Sequence, residues 1–321
     1  MRTYNWGILG LGNIAGEFAA VMNALGRPVF AAASRRPDAS ASFGRQYAVE
    51  KFYDTYEELL SDPDVDIVYI ALVNNLHYEW IMAALSAGKH VLCEKAIWGN
   101  KADMDRAYAL AEEKGLFLAE AMTIHHMPLF RMIKEKIRDG VLGKIKFVEA
   151  ELGSLKEDDP GNRFFNPALG GGAMLDIGTY GLSFVEFFLE GELTDAVHVM
   201  CPHPGGADEM WGISLKTDAG QIGSVNVTFR AKLPKRGIIA GDKAYISVMN
   251  YVRADKALLV FPDGREEILE AGSTPDALQY EILDMEKAIE TDDPALTCAE
   301  YTRKVVALMD RFLGEEELHG E

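Results

Sequence analysis

The chain has 321 residues, enough for about two domains, and 48% of them are hydrophobic, ample for buried cores. Its formal charge of −18 argues against a nucleic-acid partner, because binding a phosphate backbone needs clustered Lys and Arg, while leaving room for a local basic pocket around one small phosphate. Three scattered cysteines without a CxxC pair fit a reducing, cytoplasmic setting, and neither a signal peptide nor a run of ~18 apolar residues for a membrane span is present in the sequence.

In chain order, the first ~120 residues alternate short apolar runs with helical patterns, the signature of βαβ units and a parallel sheet. Strands are predicted at Tyr4–Leu9, Val29–Ala33, Ile67–Ala71, His90–Cys93 and Phe117–Ala119, with helices at Asn13–Leu25, His77–Ala87 and Lys101–Lys114. Asn100 is placed to cap the last of these. After Pro128 a helix is predicted over Leu129–Arg138, a strand over Ile145–Leu152, a loop over Glu157–Gly172 and a helix from Ala173 to Leu189. Residues 196–269 read as strands, broken by turn signals at Asp218-Ala219-Gly220, Gly241-Asp242 and Pro262-Asp263-Gly264. Helices near Asp276–Glu290 and Ala299–Leu313 close the chain, and the acidic tail Glu315–Glu321 reads as disordered. The expectation is an α/β protein: a Rossmann dinucleotide-binding domain over residues 1–121, then an α+β domain over 122–321 with a mostly antiparallel sheet for substrate binding and oligomerisation.

Residues 7–15 read GILGLGNIA, where a first strand turns into a first helix. Gly10 accepts backbone angles that other residues resist, Gly12 lets the backbone approach a ligand, and the helix start favours a pyrophosphate. Gly10, Leu11, Gly12, Asn13 and Ile14 therefore form the phosphate loop. In such domains an acid closing the second strand binds the NAD ribose; here that strand ends in Ser34-Arg35-Arg36. Ser34 can donate to a phosphate and Arg35 can pair with it, which favours NADP, with NAD remaining possible. Ligands of these sheets lie beyond the carboxyl ends of the strands, so Leu72 and Asn74 join the cofactor set. His77 either caps the next helix or touches the cofactor. The fourth strand ends in Cys93-Glu94-Lys95-Ala96, which brings Glu94 and Lys95 to the same crevice; a surface ion pair is the plainer alternative.

Residues 170–181 read GGGAMLDIGTYG. Asp176 and Tyr180 are spaced i, i+4, so on a helix they share one face. A carboxylate, a phenol and a nearby lysine can move a proton while a hydride moves, since a phenol of pKa ~10 needs a cation to work near neutrality. An Asp and a Tyr satisfied at a domain interface fit the same spacing. His198, Cys201 and His203 are not read as a metal site, because strand alternation turns His198 away from the other two.

Taken together, GILGLGNIA, ALVNNLHYEW, HVLCEKA, the stretch from Ala119 to Gly153 and GGGAMLDIGTYGLSF resemble the Gfo/Idh/MocA oxidoreductase family, in its order and spacing. The resemblance is greatest to its NADP-dependent branch of dimeric dihydrodiol dehydrogenase and D-xylose 1-dehydrogenase. It implies a Rossmann domain plus an open-faced sheet that commonly forms a homodimer or a dimer of dimers. It also implies Lys95 and Tyr180 as catalytic residues with Asp176 in support, and hydride exchange between a sugar, polyol or trans-diol hydroxyl and nicotinamide. Ala96 replaces the family's usual proline, Val73-Asn74-Asn75 stands for Thr-Pro-Asn, and His125 stands where an arginine is common. His125, Arg163, Asp176 and Tyr180 are the expected substrate contacts. A non-catalytic NAD(P)-binding sensor and an NAD-linked inositol-type dehydrogenase are the alternatives.

Overall fold

The computed structural model describes residues 3–159 and 162–319, apart from the side chains of 37–41 and 317–319. The chain divides into two compact units, one of residues 1–121 with 278–306, the other of 122–277 with 307–321. This departs from a plain division at 121/122, because the chain returns to the first unit near its end. The reason is visible in side-chain chemistry: the buried Trp6 indole donates to Glu286 Oε1 at 2.9 Å, and Arg27 pairs with Glu286 Oε2 at 2.5 Å.

The first unit runs β1 (Trp6–Leu9), α1 (Asn13–Ala24), β2 (Ala31–Ala33), α2 (Pro37–Tyr47), β3 (Lys51–Tyr53), α3 (Tyr56–Ser61), β4 (Ile67–Ile70), α4 (His77–Ser86), β5 (His90–Glu94), α5 (Lys101–Glu113) and β6 (Leu118–Ala121). The strands form one parallel sheet in the order β3-β2-β1-β4-β5-β6, the doubly wound order whose direction reverses beside β1. β1 and β4 are buried along their whole length, as parallel strands covered on both faces must be. Phe18 of α1 stacks on Tyr69 of β4 with ring centroids 4.0 Å apart, and Met285 and Ile282 from the returning segment complete this core. Asn100 caps α5, its side chain accepting from Asp103 N at 3.0 Å.

The second unit contains α6 (Thr123–His126), α7 (Pro128–Arg138), β7 (Ile145–Gly153), α8 (Thr179–Phe188) and the run β8 (Leu193–Pro202), β9 (Asp208–Thr217), β10 (Ile222–Thr228), β11 (Arg236–Gly241), β12 (Tyr245–Met249), β13 (Lys256–Val260) and β14 (Glu266–Glu270). Eight strands order as β14-β13-β12-β11-β7-β10-β9-β8, antiparallel except for the β7–β10 pair. α8 lies close on one face because glycines face it. A Cβ on Gly237 would stand 2.2 Å from Phe184, and one on Gly181 would stand 2.5 Å from Val225. Phe184 in turn meets Phe130, Phe188 and Tyr251, the aromatic centre of this core. The opposite face carries Val197, Val199, Ile222, Tyr245, Met249 and Ile268, all exposed.

Two helices end the chain, α9 (Ala277–Thr291) and α10 (Ala299–His319), the latter split between the units at Val306/Ala307. The expectation of a disordered acidic tail is corrected: the chain is helical to His319, with Glu315 paired to Arg311 and Glu316 to His198. Gly320 and Glu321 lie outside the described residues. No helix among the described residues is long and apolar enough to cross a membrane.

Candidate active site

At the end of β1 the chain turns at Gly10, with φ +90°. A Cβ there would stand 2.6 Å from Ala71 O and 2.7 Å from Leu72, so only glycine lets the ends of β1 and β4 meet this closely. Gly12 has open space where its side chain would be, and as the N-cap of α1 it offers no capping side chain. Leu11, Gly12 and Asn13 therefore present a close-approach loop whose leading helix N–H groups suit a pyrophosphate. Together with Gly16 and Glu17 of α1 and Phe43, Gln46 and Tyr47 of α2, this loop lines a cleft of about 500 Å³. The chain's own residues thus fit a dinucleotide.

Ser34 is nearly buried and its hydroxyl accepts from Arg36 N at 3.1 Å, which turns the chain sharply after β2. Arg35 is exposed, with its guanidinium 5.7 Å from the Tyr56 ring centroid. After β4, Leu72 and Asn74 are half-buried, and Asn74 begins a short 3-10 turn. His77 is the exception in this group. Its ring is fully buried, with Nδ1 2.9 Å from Ala96 O and Nε2 3.1 Å from Leu72 O, and burial lowers its pKa. Its ring ties the loop after β4 to the loop after β5.

At the end of β5, Glu94 Oε1 accepts from the buried Tyr69 hydroxyl at 2.5 Å, and Glu94 Oε2 accepts from Lys95 N at 3.2 Å. Lys95 is half-buried and its peptide to Ala96 is cis. Glu120 of β6, 2% exposed, accepts from Ile97 N at 2.9 Å and from the Thr302 hydroxyl at 3.1 Å. Burial pushes its carboxyl up to about 7, against the pull of those two donors and of Lys95.

In the second unit, Met174–Gly178 forms a π-helical turn that runs directly into α8. Such turns widen a helix locally and recur at functional sites. Half-buried Asp208 holds its start, accepting from Met174 N and from the Trp211 indole, both at 2.6 Å. Asp176 lies on the π turn and Tyr180 on the first turn of α8, both half-buried. Lys156 Nζ stands 3.7 Å from Asp176 Oδ2 and 3.7 Å from the Phe164 ring centroid, a cation seated between a carboxylate and an aromatic face. Arg163 is exposed, and its guanidinium lies 4.4 Å from the centroid of the same Phe164 ring. His125, an expected substrate contact, is 2% exposed in α6 and stacked on Phe187 at 5.2 Å, and burial lowers its pKa. His198 packs on Phe312 and Trp211, and no group of three metal-ligating side chains occurs among the described residues. Glu120, Lys156 and Asp208 escaped the sequence reading; no motif marks them, and their partners Thr302, Asp176 and Met174 lie 182, 20 and 34 residues away.

Residues 4–122 match the oxidoreductase family with an NAD-binding Rossmann fold, and residues 130–247 match the GFO/IDH/MocA C-terminal domain. The chain belongs to the Gfo/Idh/MocA oxidoreductase family. Among its relatives is the trans-1,2-dihydrobenzene-1,2-diol dehydrogenase of Xenopus laevis, 30% identical over 279 residues, which are 86% of this chain and 83% of that one. A 3-ketoreductase from Actinomadura kijaniata, solved in complex with NADP and TDP-benzene, superposes with a TM-score of 0.84 at 25% identity over 96% of both chains. A levoglucosan dehydrogenase in complex with NADH has the same fold, with a TM-score of 0.85 at 21% identity over 96% of this chain and 95% of that one. The loop at Gly10–Asn13 falls within the stretch that matches the NAD-binding Rossmann model.

Proposed function

We propose that the protein is an NADP-dependent dehydrogenase or reductase acting on a hydroxyl of a sugar, polyol or trans-diol, or on the matching carbonyl. The observation that carries this reading is the constellation at the head of α8. Asp176, ion-paired to Lys156, sits on a π turn ahead of the half-buried phenol of Tyr180. The diol dehydrogenase activity named for the Xenopus relative supports the substrate class. A nicotinamide cofactor held at the loop of Gly10–Asn13 would supply the hydride acceptor for the alcohol carbon, or the hydride donor for the carbonyl. Tyr180, as phenolate, takes the hydroxyl proton during oxidation, and as phenol gives it back during reduction. Lys95 supplies the cation that favours the phenolate. Asp176 orients Tyr180 or a second substrate hydroxyl, and Arg163 contacts substrate from its loop.

Cofactor choice rests on Ser34 and Arg35, since no acid closes β2 to repel a 2′-phosphate. The NADP bound by the Actinomadura ketoreductase supports the same choice. The exposed sheet face, with Val199 at 72% and Ile268 at 70% exposure, is assigned to a homodimer interface. Two measurements test the assignment. A panel of sugars and diols, followed at nicotinamide absorbance, is expected to show NADP reduction; cofactor binding without any turnover would instead indicate a sensor. Arg35→Ala is expected to cut the NADP-to-NAD affinity ratio by about tenfold or more, the scale of one lost charge-assisted contact. An unchanged ratio removes Arg35 from the phosphate site.

A further inference from the structure

The segment that follows β5 is anchored by a side chain at each of three successive residues. Glu94 Oε2 accepts from Lys95 N, His77 Nδ1 meets Ala96 O, and Glu120 Oε1 accepts from Ile97 N. The third anchor differs from the others in how it is held. Glu120 stands opposite Cys93 in the β5–β6 register and is buried. Its second oxygen accepts from Thr302, a fully buried residue of α10 that lies 182 positions further along the chain. The returning C-terminal segment thereby completes the seat of the lysine loop.

We propose that Glu120, locked by Thr302, is a positioning residue for Lys95: it fixes the peptide two residues on and answers the lysine's charge with its own carboxylate. Resting on the assignment of Lys95 to the reaction, this adds a control on that lysine. The groups that face Glu120 are Cys93 and Glu94 from β5, Lys95 just after it, Tyr108 from α5 and Thr302 from α10. Lys95 and the two donors favour the carboxylate, whereas burial and Glu94 oppose it, so the carboxyl gains its charge near neutrality. Once ionised, Glu120 favours the ammonium form of Lys95; once protonated, it withdraws that support.

The test reads the lysine itself and needs no substrate. In the full chain, lysines are reductively methylated with a carbon-13 label, and the Lys95 signal is assigned by its loss in Lys95→Arg. The expected result is a step in the Lys95 signal at about pH 7, absent in Glu120→Gln. Thr302→Val is expected to move the step upward by about half a unit or more, because one donor to the carboxylate is gone. Thr302→Ser, which keeps the hydroxyl, is expected to return it. A Lys95 signal with no step near pH 7, or a step that survives in Glu120→Gln, overturns the proposal. If Thr302→Val does not fold, the comparison of Glu120→Gln with wild type decides. Turnover separates the two assignments. Full activity in Lys95→Ala removes Lys95 from the chemistry, whatever the titration shows. An inactive Lys95→Ala combined with an unchanged titration in Glu120→Gln removes only the role of Glu120.

Discussion

Glu120 carries a cost that grows with pH. Its carboxyl keeps a proton up to about 7 in the folded chain, against an ordinary value of 4.5. Below about 4.5 both folded and unfolded chains hold the proton and the group is neutral toward stability. Between 4.5 and 7 the unfolded chain releases the proton first, so folding stability falls across that window, by about 3 kcal/mol in all. Urea denaturation of wild type and Glu120→Gln at pH 5 and pH 8 is expected to show the variant gaining on wild type by roughly that amount at the higher pH. An equal gap at both pH values would contradict the burial of this carboxyl as an ionisable group. Glu120 was invisible in the sequence because its two donors, Ile97 and Thr302, come from separate elements. Lys95, Asp176 and Tyr180 could be placed at a strand end and a helix start because strand ends and helix spacing locate residues along the chain. The enclosure of His77 and His125 was not legible, for the complementary reason. Position along a strand end says nothing about whether a ring turns toward ligand or toward buried carbonyls and aromatic faces.

Among elements, the long apolar strands and the amphipathic helices were readable, whereas α2, α3 and β3 were not. β3 has three residues at the edge of the sheet, and α2 carries Pro37 and Gly44 with few large apolar residues. α3 carries a signal that the sequence reading passed over, the capping box of Thr55 and Glu58, which the structure forms in full. The alternation of helix and strand also hid the return of the chain to the first unit, since a helix at the C-terminus reads the same wherever it docks. Glu286 of α9 tests that docking. Its loss strands the buried Trp6 indole and removes the partner of Arg27. Glu286→Ala is expected to cost about 2 kcal/mol in denaturant unfolding, the usual penalty for a buried donor left unpaired. A change below about 0.5 kcal/mol would show that the return segment is not held by this contact.

At the scale of the whole molecule, the eight-stranded sheet is asymmetric. Helix α8 and the aromatic cluster around Phe184 cover one face, and a register row on the other runs from Val197 through Ser214, Ser224, Glu149, Ile238, Ser247 and Leu258 to Ile268. The ends of that row are apolar and exposed in a chain whose net charge of −18 otherwise favours solvation and mutual repulsion. The account assigns this face to a second copy of the chain. Val199→Asp combined with Ile268→Asp is expected to convert a dimer to a monomer in light scattering, with an unchanged far-UV spectrum. A wild-type chain that is monomeric at about 100 μM would contradict the interface. The Rossmann half and its glycine turn were legible at this scale because phosphate binding demands a fixed backbone. Substrate identity was not, because the surroundings of Asp176, including Lys156 and the loop of Arg163, depend on folded loop paths that no periodicity encodes. The central claim is that Tyr180 moves the substrate proton. Its most direct test is steady-state turnover of the best substrate from the sugar and diol panel by wild type and Tyr180→Phe, with NADPH affinity measured in parallel. The account predicts that kcat falls about 100-fold or more while NADPH affinity stays within about twofold; a variant turning over at the wild-type rate would contradict it.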